Sequence, residues 1–164
     1  LHLPFNPKST FQNPTSYYLY PTPTYNHMKN TLFNILAVVA GVFIGGLINM
    51  AIVMASGKII PPPPGADLTT PEGLTAAMPL MGPQHFLMPF LAHALGTLTG
   101  ALIAAMFAAT HKMRLAIVIG VVFLAGGIMA ARMIPAPTWF IVLDLLVAYI
   151  PMAYIGGKLG SGKA

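Results

Sequence analysis

The chain has 164 residues, of which 56% are hydrophobic and only 7% charged, with a mean hydropathy of +0.75. Soluble domains carry about 25% charged residues, so this composition cannot supply a water-facing shell, and lipid must take its place. The net charge of +5 would suit a nucleic-acid binder, but the Lys and Arg sit at the ends of apolar runs rather than in a patch, and no nucleic-acid partner is expected. With no cysteine, the chain has no disulfide framework, thiolate metal site, iron–sulfur cluster or thiol redox chemistry.

Residues 1–27 are rich in Pro, Tyr, Asn, Thr and Ser and lack an apolar run, so they read as a disordered N-terminal extension. Met28 then opens MKNTLFNILAVV, a short basic lead into apolar sequence, and is expected to be the natural start of a single membrane domain covering residues 28–164. The first apolar run, residues 32–54, has no charge. As a helix it reaches about 34 Å, enough to span. A cleaved signal peptide is the competing reading, but its apolar region is only about 7–15 residues long, which favours an uncleaved helix.

Residues 55–85 form a connection too long for a tight hairpin. Pro61 to Pro64 should make a stiff polyproline II spacer. Thr70, Pro71 and Glu72 supply an N-cap, a first-turn proline and a first-turn acid for a short helix over 71–78. That helix would turn Leu74, Ala77 and Met78, with Met81 beyond it, toward the membrane or the bundle as an interfacial lid. The second apolar run, 86–109, holds only His93 as an ionisable group, and the third, 115–134, only Arg132. The fourth, about 139–158, carries Asp144 and Pro151, the proline predicting a kink that frees the carbonyl of Val147. The connections at HKMR and PAPT are tight turns. The fold expected is thus all-α, an integral membrane bundle of four transmembrane helices.

Counted from Met28, five Lys and Arg (Lys29, Lys112, Arg114, Lys158, Lys163) fall at one end of the bundle and two (Lys58, Arg132) at the other. The positive-inside rule then places both termini and the HKMR turn in the cytoplasm and the long loop outside. Trp139 and Phe140 at the outer start of the fourth helix, and Tyr154 beside Lys158 at its inner end, fit aromatic belts.

Each helix carries one polar residue at similar depth: Asn49, His93, Arg132 and Asp144 all fall within roughly 3–11 Å of the outer boundary. Ionisable groups in a span face the interior and pair, so an ion pair between Arg132 and Asp144, on consecutive helices, is the natural expectation. It would either lock two helices together or, with His93, exchange protons or cations. His93 could also ligate a metal or haem, but a lone histidine more commonly hydrogen-bonds a neighbouring helix, and Asn49 reads the same way. No catalytic set, metal site or cofactor is expected. Gly41 and Gly45 on the first helix, and Gly96 and Gly100 on the second, make small-xxx-small faces through which these helices should pack, or through which the chain could form a homo-oligomer.

The combination of NILAVVAGVFIGGLINMAIV, the PPPPGAD loop, PQHFLMPFLAHALGTLTGALIAA, the HKMR turn, PAPTWF and LDLLVAYIPMAYIGGKL resembles a group of small, uncharacterised bacterial inner-membrane proteins from Met28 onward. The resemblance implies a location in the bacterial inner membrane and no site residues, because the group has no assigned activity. Three roles remain. The first is a non-enzymatic envelope component or accessory subunit that meets a membrane-protein partner through its outer loop. The second is a small oligomeric proton-coupled transporter or channel using Asp144 and His93. The third is an enzyme acting on a lipid-like substrate at the outer face.

Overall fold

The computed structural model describes residues 23–162. Helix α1, Pro23–Ile59, is followed by the short helix α2, Pro71–Ala77, and by two 3-10 turns at Met78–Leu80 and Pro83–Phe86. Then come α3, Leu87–Phe107, α4, Lys112–Met133, α5, Thr138–Val147, and α6, Ile150–Gly160. No strand occurs among the described residues. Four stretches, Tyr25–Ile59, Pro83–Phe107, Lys112–Met133 and Thr138–Gly160, are long and apolar enough to cross a membrane, so the protein is all-α and multi-pass. The four expected spans are all present.

Helix α1 starts earlier than expected. It begins at Pro23, so residues 23–27 are helical, and the Thr31 hydroxyl donates to the His27 carbonyl one turn back at 3.0 Å. Proline is tolerated at a helix's first position because its missing N–H would have no partner there. The rest of the expected disordered extension, residues 1–22, lies outside the described residues. At the other end, the Ile60 N–H still donates to Ser56 (2.8 Å), and Pro61 then forces the chain into extended backbone.

The loop folds around Asp67. Its carboxylate accepts from the Thr69 N–H (2.8 Å), the Thr69 hydroxyl (2.6 Å) and the Thr70 hydroxyl (2.9 Å). Thr70 in turn caps α2 by accepting from the Gly73 N–H at 3.1 Å, the cap expected of this sequence. These hydrogen bonds, the Thr69 hydroxyl foremost, hold the Asp67 carboxyl below the usual carboxylate range.

The fourth span is broken rather than kinked. Pro151 has no N–H to give, and its ring would clash with the carbonyl of Val147 if the helix ran through. α5 therefore stops at Val147, Tyr149 takes φ −113° and ψ −78°, and α6 restarts at Ile150 with Pro151 in its first turn. The break swings Tyr149 into the bundle, where it is 1% exposed.

Packing is organised by residues with little or no side chain. α3 buries eight residues, none larger than threonine. A Cβ at Gly45 would lie 2.6 Å from the Gly96 carbonyl oxygen, and one at Gly100 2.7 Å from that of Gly41, so α1 and α3 touch backbone to backbone as their small-residue faces predict. α6 uses the same device. A Cβ at Gly160 would lie 2.5 Å from the Leu102 carbonyl oxygen of α3, and one at Gly157 2.6 Å from the Ala116 side chain of α4. Phe43, Leu47, Met50 and Met54 on the far side of α1 are exposed, as lipid-facing side chains are. Of the aromatic pairs read as belts, Trp139 and Tyr154 are half exposed, with the Lys158 ammonium 5.9 Å from the Tyr154 ring. Phe140 is not in the belt. It is buried against Phe86, ring centroids 4.9 Å apart.

The end of the bundle beneath residues 60–86 is called the loop end below, and the end holding Thr110 and His111 the turn end.

Candidate functional site

Asp144 is the buried charge of the bundle, 4% exposed, on the face of α5 that meets α3. Its partner is not Arg132. That side chain ends α4 exposed, and no ion pair joins it to Asp144 among the described residues. The expectation fails because Asp144 points into the bundle while the end of α4 turns the guanidinium outward, where an arginine keeps its hydration at small cost.

Two other groups meet the carboxylate. His93 of α3 places Nδ1 2.9 Å from both Asp144 oxygens, and the Tyr149 hydroxyl donates to Oδ2 at 3.0 Å. The His93 and Tyr149 rings stack at 5.7 Å with 30° between their planes. Gly127 of α4 makes room for this, since a Cβ there would collide with the Tyr149 hydroxyl. The Thr97 hydroxyl donates back to the His93 carbonyl at 2.7 Å, supporting the turn of α3 that carries the imidazole.

The network assigns the imidazole tautomer. An ionised carboxylate can only accept, so with the Tyr149 O–H on Oδ2 the neutral His93 ring carries its proton on Nδ1 and donates it to Asp144, which leaves Nε2 as the ring's acceptor nitrogen. Nε2 has no hydrogen-bond partner among the described residues and is not enclosed. A carboxylate behind one nitrogen fixes the ring's tautomer and orientation and leaves the other nitrogen to meet a guest, an arrangement that suits general-base or ligand-holding chemistry.

His93 belongs to the wall of a cavity of about 350 Å³ at the loop end. The end of α1 contributes Val53, α2 and the following turn Leu74 and Met78, α4 Ala130, and α5 Phe140 and Asp144. The short helix is therefore a lid, with Leu74, Met78 and Met81 turned toward the bundle. His85 joins the same wall and ties the end of the loop to its start, with Nδ1 3.1 Å from the Gly82 carbonyl oxygen and Nε2 3.2 Å from that of Pro61.

Of the four polar residues expected to cluster, the structure joins His93 and Asp144 and sets two apart. Asn49 packs beside Gly96, where a Cβ would lie 2.9 Å from the Asn49 Cβ, yet its Oδ1 is buried with no hydrogen-bond partner. It reaches the right helix without making the expected bond. Tyr149 was not singled out from sequence, although its place two residues before Pro151 is the signal that could have found it. Also missed was Asn34, whose amide donates to the Thr110 hydroxyl (2.9 Å) and accepts from the Thr110 N–H (3.1 Å), clamping the turn end. Comparison with family models, curated proteins and solved structures finds no match for the chain.

Proposed function

We propose that the chain is a multi-pass protein of a bacterial inner membrane, with both termini cytoplasmic, that binds a small and largely apolar molecule in the cavity at its loop end. The cavity is the observation that carries the reading, a largely apolar chamber of about 350 Å³ whose wall holds the His93 imidazole, oriented by Asp144. Ligand cavities typically run about 300–1,000 Å³ and use a few placed polar groups to orient an otherwise apolar guest. The role is non-enzymatic, that of a carrier or accessory component, since one imidazole backed by one carboxylate is enough to hold and orient a guest. A through-channel is disfavoured by packing toward the turn end. There Ala101, Ala104, Ala105 and Ala116 are fully buried, which favours a chamber with a closed floor. The excess of Lys and Arg at the turn end supports the orientation.

The binding reading is tested by native mass spectrometry of the full chain in mild detergent. The wild type should carry a non-covalent small molecule that Ala130→Leu, which grows into the chamber, does not retain. Equal occupancy in the two proteins would sink the reading. Orientation is tested separately, because the chain has no cysteine of its own. In intact cells a membrane-impermeant maleimide should label Thr69→Cys and spare Ser161→Cys.

A further inference from the structure

The chemistry of the chamber narrows what can occupy it, an inference that rests on the binding role just proposed. Both Asp144 oxygens lie 2.9 Å from His93 Nδ1, Oδ2 also accepts from the Tyr149 hydroxyl, and the residue is only 4% exposed, so the carboxylate presents little surface on which a guest could seat directly. The polar atom left over beside Asp144 is His93 Nε2, accessible and without a partner among the described residues. With the proton on Nδ1 it is an acceptor, so its complement is a donor. A carboxylate or phosphate guest would bring a second negative charge close to Asp144 in a low-dielectric wall and would find a lone pair facing it. Both effects disfavour it.

The other polar side chains of the wall are occupied, Ser56 on the Val53 carbonyl and His85 between the Gly82 and Pro61 carbonyls, and the rest is apolar and partly aromatic. Phe86 and Phe140 both line the chamber, and Trp139 packs edge-on against Phe86 at 5.6 Å on their outer side. With a volume near the lower bound for ligand sites, the chamber suits a head group rather than a whole lipid. We infer that it takes an uncharged amphiphile whose head carries a hydroxyl, the hydroxyl donating its hydrogen bond to His93 Nε2. A phenolic or quinol head and a simple alcohol head share this chemistry, and the planar ring is the better fit to the Phe86 and Phe140 wall.

The test uses the full chain in detergent and three probes of matched length: 4-heptylphenol, its methyl ether 4-heptylanisole, and 4-heptylbenzoate. Binding is read by isothermal titration calorimetry at mildly alkaline pH, with emission of Trp139, the chain's single tryptophan, as a second signal. The phenol should bind saturably and at least about tenfold more tightly than the ether, which keeps shape and apolar area but has no O–H to give, and the benzoate should be the weakest. n-Octanol in place of the phenol separates the two hydroxyl sources, a ring preference appearing as tighter phenol binding and equal binding removing it. In His93→Phe the preference of phenol over ether should vanish. His93→Gln, which restores an acceptor oxygen, should recover part of it. Equal affinities for phenol and ether in the wild type would overturn the hydroxyl assignment while leaving the chamber a binding site. If none of the probes binds, or if all bind Ala130→Leu as they bind the wild type, the chamber reading itself falls.

Discussion

The two ends of the bundle are built on opposite principles from the same four spans. Toward the turn end the helices close until backbones touch, and Asn34 and Thr110 are joined by two hydrogen bonds. Toward the loop end the helices part around a chamber with a charged dyad in its wall. The transition can be followed along one stripe of α1. Gly41 and Gly45 lie against the α3 backbone, Asn49 one turn on presses on Gly96, and Val53 a turn further lines the chamber. The stripe widens residue by residue, from no side chain to a small polar one to a branched apolar one. A binding space in a small membrane bundle thus needs no special fold, only a graded change of side-chain size along a packed seam.

The closed end should be the less forgiving. Gly45→Leu drives a side chain into the Gly96 carbonyl and should cost about 3 kcal/mol or more, read as a collapse of the thermal midpoint in detergent. Gly126→Ala, in a position with open space around it, should shift that midpoint little. A comparable loss from Gly126→Ala would break the contrast between the seam and the lipid face.

The open end should depend on its dyad. Asp144→Ala leaves the His93 Nδ1–H and the Tyr149 hydroxyl without their acceptor and should cost about 1–3 kcal/mol, whereas the exposed Arg132→Ala should cost under about 0.5 kcal/mol. A double-mutant cycle sharpens this. His93 and Asp144 should couple by about 1–3 kcal/mol and Arg132 and Asp144 by about zero, and a reversal of the two would restore the pairing expected from sequence. Tyr149→Phe removes one hydrogen bond to the carboxylate and should cost about 1 kcal/mol while keeping the stacked ring.

The smallest effect belongs to the loop over the chamber. The folded loop holds the Asp67 carboxyl below its usual range, so its contribution is full at neutral pH and fades as pH falls through that depressed value, when protonation removes the acceptor of Thr69 and Thr70. Amide protection factors at Thr69 and Gly73, that is, exchange rates relative to the intrinsic rate at each pH, should fall on acidification in the wild type and be insensitive to it in Asp67→Asn. Because Asp67 is exposed, this change is local to the loop and should leave the bundle's midpoint in place.

Most of the architecture could be read from sequence because its causes are local. Long uncharged runs make spans, Thr70 before Pro71 starts a helix, and glycines four apart make a seam. The depth of His93 and Asp144 was equally legible, since a count along the helix gives it. The partnership was not. Arg132 and Asp144 are neighbours in the chain and opposite in charge, but the phase of each helix about its own axis is set by what it packs against, and no local pattern reports that. Tyr149 was lost for a related reason. It reaches Asp144 only because the span breaks at Ala148, and the depth of that break depends on α6 being held by Gly156, Gly157 and Gly160 against two other helices.

That break also gives the molecule a joint. α6 is pinned by its glycines, and the short turn at 135–137 leads straight into α5, so α5 is a ten-residue rod with a non-helical bend at one end. A rod so mounted can tilt like a lever without dragging its anchor. The bend carries Tyr149 and the rod carries Asp144, so the hydrogen bond between them spans the joint and fastens its two sides together.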